Sequence, residues 1–451
     1  MSGISTLNVR GLANKFHSQS VLIRNSGEVM KIQIDHIAKI EGHAGFTADI
    51  SQGKISQVRL DILEGARLIE GILRDRPIGE VSQIASRICG VCPVVHNLTS
   101  LKALENALHV EVSQQTILLR KLMMMGQIIN SHLLHLFFFS LSDFFGIKDD
   151  LQLVKKFPKK AQEGLIAREF GNKIIEVIGG RSIHPLTPVI GGFLKLPGEK
   201  DLAGILKQSE TALQKSIGLA ELFIKLKYPD FQRPAPFASL VDLKEYAFYG
   251  GSVKTPDNQN ISIQKFLATV KERQIQKSLV KRSDYFGKPF MVGAIARINH
   301  SRNQLNPEAL DLLKKSKKQL PSFNPFDNIW AQAIETVHCV EETRKILKEL
   351  IRKKIKPECP AFSLKNSEGW AAIEGPRGTL YYYYAVGKDG LVKDCNIITP
   401  TSQNLARLEQ DLEEFLPQLA FGKKHIPKTE IENKIKMLVR AYDPCLTCAT
   451  H

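Results

Sequence analysis

Cysteine is scarce and odd in number, with seven in 451 residues, and no secretory leader precedes them: the first residues lack the apolar stretch of about ten residues that such a leader needs. A disulfide framework is therefore excluded as the organising device, and reduced thiols or metal ligands are the expectation. Long apolar runs are also missing. The longest, around Leu133 to Leu141, falls short of a bilayer span and is bracketed by His132 and Asp143, so no transmembrane helix is expected. Aromatics make up only 7% and there are two Trp, while hydrophobic residues reach 43%, which excludes a disordered chain and leaves ample apolar material for a large core. Repeats, low-complexity tracts and Pro/Gly/Ser linkers are absent, so nothing divides the chain cleanly.

Acidic residues are outnumbered, 46 against 62 Lys and Arg, for a net charge of +16. The excess is spread over short clusters (Lys155-Lys156, Lys159-Lys160, Lys314 to Lys318, Arg352 to Lys356) without aromatic interleaving. That pattern reads as solvated helix faces rather than a nucleic-acid surface. Residues 1–29 form a polar extension, with no acid in the first 27, which resembles a weak targeting segment or an untranslated leader; residues 30–451 are read as one domain.

Apolar alternation over 31–63 predicts short antiparallel strands, separated by Gly42, Gly45 and Gly53. From Ile78 to about Phe145 the spacing is helical and buried on several sides, punctuated only by Pro93. Further helices are predicted over 151–178, 201–226, 307–317, 328–354, 401–415 and 427–440, with mixed strands over 228–300 and strands again over 371–399. The class is α+β, mainly helical, with a buried helical bundle and small antiparallel sheets.

What carries chemistry sits at opposite ends of the chain: Cys89-Gly-Val-Cys92 and Cys445-Leu-Thr-Cys448. A CxxC puts two sulfurs on one side of a tight turn, and two such pairs supply four thiolates. Three readings compete. A zinc ribbon spaces its pairs by about 15–20 residues, unlike these. A redox dithiol accounts for one pair and needs a βαβ context that is not evident. A four-thiolate site for a soft transition metal uses both pairs, and requires the two ends of the chain to meet in the core.

The flanks decide. Arg87-Ile-Cys89-Gly-Val-Cys92-Pro-Val-Val-His96, Asp443-Pro-Cys445-Leu-Thr-Cys448-Ala-Thr-His451, Lys39-Ile-Glu41-Gly-His43, Gly179-Gly-Arg181-Ser-Ile-His184-Pro185, Glu374-Gly-Pro376-Arg377-Gly378 and Pro400-Thr401 together resemble the signatures of the large, catalytic subunit of nickel-iron hydrogenases. The resemblance runs over nearly the whole chain from Met30. It implies that Cys89 and Cys445 are terminal nickel ligands, that Cys92 and Cys448 bridge nickel and iron, and that iron carries carbon monoxide and cyanide. It implies reversible cleavage of dihydrogen, with Arg377 over the open coordination position, or Cys445 relaying to Glu41, as candidates for the base. His96 is expected to hydrogen-bond a bridging cysteine, Pro376 to support the centre, and Pro400 and Thr401 to cradle a cyanide.

Further implications concern the surroundings. Glu70, the Ile397 carbonyl and His451 are expected to bind magnesium, or iron in some members. His132 and His135, three apart on a helix, are read as satisfied core histidines. Cys339, Cys359 and Cys395 are read as small buried hydrophobes. Pro93, Ser131-His132 and the DPCLTCATH ending resemble the cytoplasmic, NAD(P)-linked and sulfhydrogenase-type group. Lys39 departs from the arginine usual there and loses its planar fork. Expected partners are an iron-sulfur small subunit, a flavin-containing NAD(P) module and maturation proteins. The alternatives are a hydrogen-sensing member of the family, or a non-catalytic complex-I-like or zinc-bound scaffold.

Overall fold

The computed structural model describes residues 29–51, 54–275, 278–358, 360–420 and 426–451. The extension up to residue 28 and Cys359 lie outside them. Four long helices form the centre: Gln114–Leu133 packs on Pro158–Gly179, which packs on Glu199–Ile224, which packs on Asp327–Lys353, and this last closes the ring against the first. The closest approach is made by glycines. A Cβ on Gly126 would lie 2.6 Å from the Gly171 carbonyl oxygen, and one on Gly171 would lie 2.7 Å from that of Gly126, so two backbones touch where no side chain fits.

A second layer joins this bundle through the helix Pro93–Leu108, which is buried on nearly every side. It lies on an antiparallel sheet of three sequential strands, Ser367–Gly375, Gly378–Val386 and Val392–Ile398. A Cβ at Gly369 would stand 2.2 Å from the Ala103 carbonyl, so glycine is what lets helix and strand meet backbone to backbone. The buried pair Arg120–Glu105 ties the two layers, with both guanidinium nitrogens on one carboxylate at 2.6 and 2.7 Å. A three-stranded N-terminal sheet (Val29–Ile34, Ala44–Ser51, Lys54–Ile62) and small strand pairs complete the surface, and the helices Pro400–Ala420 and Lys428–Ala441 bring the chain end back inside.

Class and elements agree with the sequence reading, and the differences have local causes. The expected helix over 78–145 breaks at Cys89–Cys92 and again after Leu108, where His109 takes φ 53°. Beyond Leu133 the helix widens into a π turn over Leu134–Ser140 and then tightens to a 3-10 turn over Leu141–Phe145. The helix expected over 151–178 is two, Asp150–Lys156 and Pro158–Gly179, because Pro158 disfavours helical backbone at Phe157. By length and composition Gln114–Phe145 could cross a membrane, unlike the shorter run weighed from sequence. However, 78% of its apolar window is buried inside the protein, as in a core helix.

Candidate metal centre

The two cysteine pairs are built by different turns. Cys89 follows the 3-10 turn Ser86–Ile88 in extended backbone, and Cys92 is the residue before Pro93, which opens the helix Pro93–Leu108. At the other end, Asp443 takes φ 48° directly after the helix Lys428–Ala441, which turns the chain so that Cys445 precedes the last helical turn, Leu446–Ala449. Arg67 joins the two segments: its guanidinium donates to the Ile88 carbonyl at 2.5 Å and to the Thr447 carbonyl, and its backbone N–H to Thr450 O. Sequence reasoning missed this arginine, which stands only three residues before Glu70.

The four sulfurs meet. Sγ atoms of Cys89 and Cys445 are 3.3 Å apart, those of Cys92 and Cys448 3.2 Å, and those of Cys445 and Cys448 3.0 Å. All four lie within 4.8 Å of one another, are buried and unbridged, and are the one such cluster of ligating side chains among the described residues. A disulfide would need about 2.05 Å. A metal at about 2.3 Å from each sulfur spaces tetrahedral thiolates about 3.7 Å apart, so a small expansion of this cluster accepts one. Its electrostatics favour a cation. Hydrogen bonds from neighbouring thiols hold Cys89 well below the ordinary thiol range, while burial pushes Cys445 and Cys448 well above it, so the surrounding protein alone does not favour four thiolates together. Four thiolates in that volume need an outside positive charge, and binding it releases protons.

The other predicted residues surround this cluster. Glu41 Oε2 is 3.0 Å from Cys445 Sγ and accepts the Thr447 N–H, while Oε1 accepts the Thr447 hydroxyl at 2.5 Å. Its backbone pairs with Cys445, and the Leu446 N–H donates to Glu41 O. Gly42 permits that approach: at φ 86°, a Cβ there would be 2.9 Å from Leu446 Cβ. Burial first, and the neighbouring Cys89 second, raise the Glu41 pKa above its usual value.

Arg377 is buried in the hairpin between Gly375 and Gly378. It donates from Nε to Asp443 O at 2.8 Å, from Nη2 to Asp443 Oδ1 at 3.0 Å and from Nη1 to Ser131 Oγ at 3.4 Å. Burial opposes its charge, but Asp443 and the cysteines outweigh that and hold it cationic. Pro376 offers its carbonyl to Arg297 at 3.3 Å. Thr401 accepts the Cys445 N–H on Oγ1 at 3.0 Å, and Pro400 begins the helix that carries it. His96 places Nε2 3.4 Å from Cys448 Sγ and Nδ1 2.7 Å from Tyr382 Oη. Burial keeps its imidazole neutral, with a pKa down to about 3. One ring nitrogen therefore donates and the other accepts, between the Tyr382 phenol and the Cys448 sulfur. Tyr382 was not foreseen, because in sequence it is one of four consecutive tyrosines.

A second cluster lies nearby. His451 Nε2 is 2.9 Å from the Ile397 carbonyl and 3.7 Å from Glu70 Oε1, so the three residues predicted from sequence converge. Two unforeseen residues flank them: Lys281 Nζ lies 3.2 Å from Glu70 Oε2 and 3.1 Å from Glu272 Oε2. Burial alone would raise the Glu70 pKa, but His451 and Lys281 bring it down to about 2. His132 and His135 turn away from the sulfurs, onto Glu335 and Gln332. Lys39 pairs with Asp150 at 2.6 Å and with Ser142. Cys395 donates to Glu70 O, and Cys339 is buried.

Comparison with known proteins settles the family. The model of the nickel-dependent hydrogenases matches residues 67–170 and 230–451. The chain belongs to the nickel-dependent hydrogenase family. It is 34% identical to the alpha chain of sulfhydrogenase 1 of Pyrococcus furiosus, over 94% of this chain and 98% of that protein. It is 27% identical to an F420-non-reducing hydrogenase of Methanothermobacter marburgensis, over 94% and 95%. An NAD+-reducing [NiFe]-hydrogenase crystallised in the H2-reduced state shares 26% identity and a TM-score of 0.84, over 94% of this chain and 100% of that one. The nickel-iron hydrogenase chain described here is thus a large, catalytic subunit, an oxidoreductase acting on dihydrogen.

Proposed function

We propose that Cys89, Cys92, Cys445 and Cys448 hold nickel, that Cys92 and Cys448 also bridge to an iron bearing carbon monoxide and cyanide, and that Glu41 and Arg377 handle the proton of dihydrogen cleavage. The carrying observation is the convergence of four buried sulfurs from both ends of the chain within 4.8 Å. When bound, the nickel-iron centre supplies the electron-accepting half of heterolytic dihydrogen cleavage. The protein supplies the base. Cys445 is a terminal sulfur with Glu41 Oε2 at 3.0 Å, so a proton received on Cys445 passes directly to this carboxylate. Burial raises the Glu41 pKa above its usual value, the direction that lets a carboxylate hold a proton between transfers. Thr447 fixes both carboxylate oxygens, which keeps that transfer aligned.

Arg377, held by Asp443, presents a fixed positive charge toward the cysteines and orients gas and cyanide rather than surrendering its own proton. Thr401 pins the Cys445 backbone by accepting its N–H, and its hydroxyl would donate to a cyanide. Glu70, the Ile397 carbonyl and His451, one carboxylate, one carbonyl and one imidazole, would hold magnesium, which would tie the segment after Cys448 to the strand Val392–Ile398. Electrons leave through an iron-sulfur small subunit, then onward to an NAD(P) module in the cytoplasm. This is supported by the P. furiosus and NAD+-reducing relatives and by the absence of further cysteine clusters among the described residues. An infrared spectrum with nickel and iron analysis on the natively purified complex tests the centre. Diatomic bands with one nickel per chain are expected; zinc without such bands contradicts the reading.

A further inference from the structure

Asp443 is the only carboxylate on Arg377 among the described contacts, so whatever fixes Asp443 fixes the guanidinium. Its Oδ1 takes Arg377 Nη2, and its Oδ2 takes the side-chain amide of Gln332 at 3.1 Å. A carboxylate only accepts, so that contact sets the orientation of Gln332 and turns its carbonyl the other way. The carbonyl meets His135 Nδ1 at 2.5 Å. His135 Nε2 in turn faces the Arg440 carbonyl at 2.7 Å, with Ser140 Oγ at 3.0 Å and Asp443 Oδ1 at 4.0 Å. Both ring nitrogens thus face oxygen atoms inside a site that is 1% exposed, which fixes the ring between the Gln332 and Arg440 carbonyls. The π turn Leu134–Ser140 produces this arrangement by bringing Ser140 back under the ring.

Other charges facing the ring are accounted for. The Arg440 guanidinium points away, to Asp143 at 2.5 Å and to the Ala38 carbonyl, and on the helix opposite Glu335 is taken by Arg297 and His132. The remaining anion is Asp443, between Arg377 on one side and the His135 and Gln332 pair on the other.

We propose that His135 is a positioning residue, a buried ring that, through Gln332, holds Asp443 and with it the Arg377 guanidinium over the cysteine cluster. This rests on the reading of Arg377 given above. The test uses the intact complex carrying His135→Gln, Gln332→Met or Arg377→Lys, with nickel content, infrared bands and dihydrogen-oxidation kinetics measured on each. His135→Gln removes the ring that spans Gln332 and the Arg440 carbonyl, and Gln332→Met cuts the chain at its middle with little change in volume. Both are expected to retain nickel, to lower kcat about tenfold at unchanged KM and to shift the cyanide bands. Unchanged kcat and bands in both variants, beside a strong loss in Arg377→Lys, would overturn the role of His135 while leaving that of Arg377 standing. Full activity with unmoved bands in Arg377→Lys would remove the reading of Arg377 and this inference with it. Loss of nickel from both His135→Gln and Gln332→Met would also overturn it, since positioning requires an assembled centre.

Discussion

Two buried polar regions of this protein lie side by side and are satisfied in opposite ways. In the network behind the Gly375–Gly378 hairpin, the chain supplies a donor to every carboxylate oxygen: Arg297 binds Glu335 at 2.6 and 2.7 Å and Glu374 at 2.8 Å, and Tyr246, Thr379 and the Leu240 N–H complete the set. In the cysteine cluster, four potential anions face one guanidinium, which is already committed to Asp443. The first region is structure, because the chain itself supplies a donor to each carboxylate oxygen. The second is a site, because its charge closes only with a cation from outside. Glu70 and His451 are intermediate, since Lys281 already brings an ammonium to the carboxylate.

Breaking each region should therefore fail in a different way. Cys448→Ser leaves a harder, less acidic donor at a shared position, and the complex should contain no nickel and show no hydrogenase activity, by metal analysis and dihydrogen uptake, while the chain still folds. Glu41→Gln keeps an acceptor for the Thr447 N–H but cannot take a proton. Activity should fall about 100-fold or more with nickel and infrared bands retained, and retention of activity would exclude Glu41 as the relay. Arg297→Met strands two buried carboxylates and should cost about 3–5 kcal/mol of stability in denaturant unfolding, a defect that no added metal repairs.

The internally satisfied type can also be read by pH. His338 accepts the Asn306 N–H on Nδ1 at 3.0 Å, and burial brings its pKa down to about 4. The unfolded chain, with a histidine pKa near 6.5, takes up that proton first as pH falls. This contribution is therefore complete above about pH 6.5 and is lost between there and pH 4. Relative to His338→Gln, wild-type stability should drop by about 2 kcal/mol from pH 7 to pH 5 in urea titrations. Last and smallest, Lys281→Met removes the resident ammonium, and magnesium should then protect the chelator-treated complex against heat at about tenfold lower concentration. An unchanged magnesium dependence would separate Lys281 from that site.

The same contrast explains how much was legible in the sequence. The cysteine pairs, Glu41, Arg377, Glu70 and His451 lie in short motifs whose residue types are costly to bury without a purpose, and the fold brings them together as those motifs imply. Ile397, reached by counting back from Pro400, sits where its carbonyl meets His451. What sequence did not reveal acts through distant pairings. Arg67 bridges to carbonyls 21 and 380 positions away, Tyr382 meets His96 across 286, and Gln332 meets Asp443 across 111. No periodicity encodes such pairs. The helix break at Leu133 was hidden for a related reason: the apolar pattern continues through Leu141, and only the hydrogen bonds of His135 and Ser140 reveal the π turn.

The most direct test of the central claim, that both chain ends close one soft-metal site, is X-ray absorption at the nickel edge of the natively purified complex. The account predicts nickel bound by four sulfurs with an iron neighbour, and loss of one sulfur or of all nickel in Cys89→Ser and Cys445→Ser alike. Nickel bound mainly by nitrogen and oxygen, or a nickel environment unchanged when either end is altered, would contradict it.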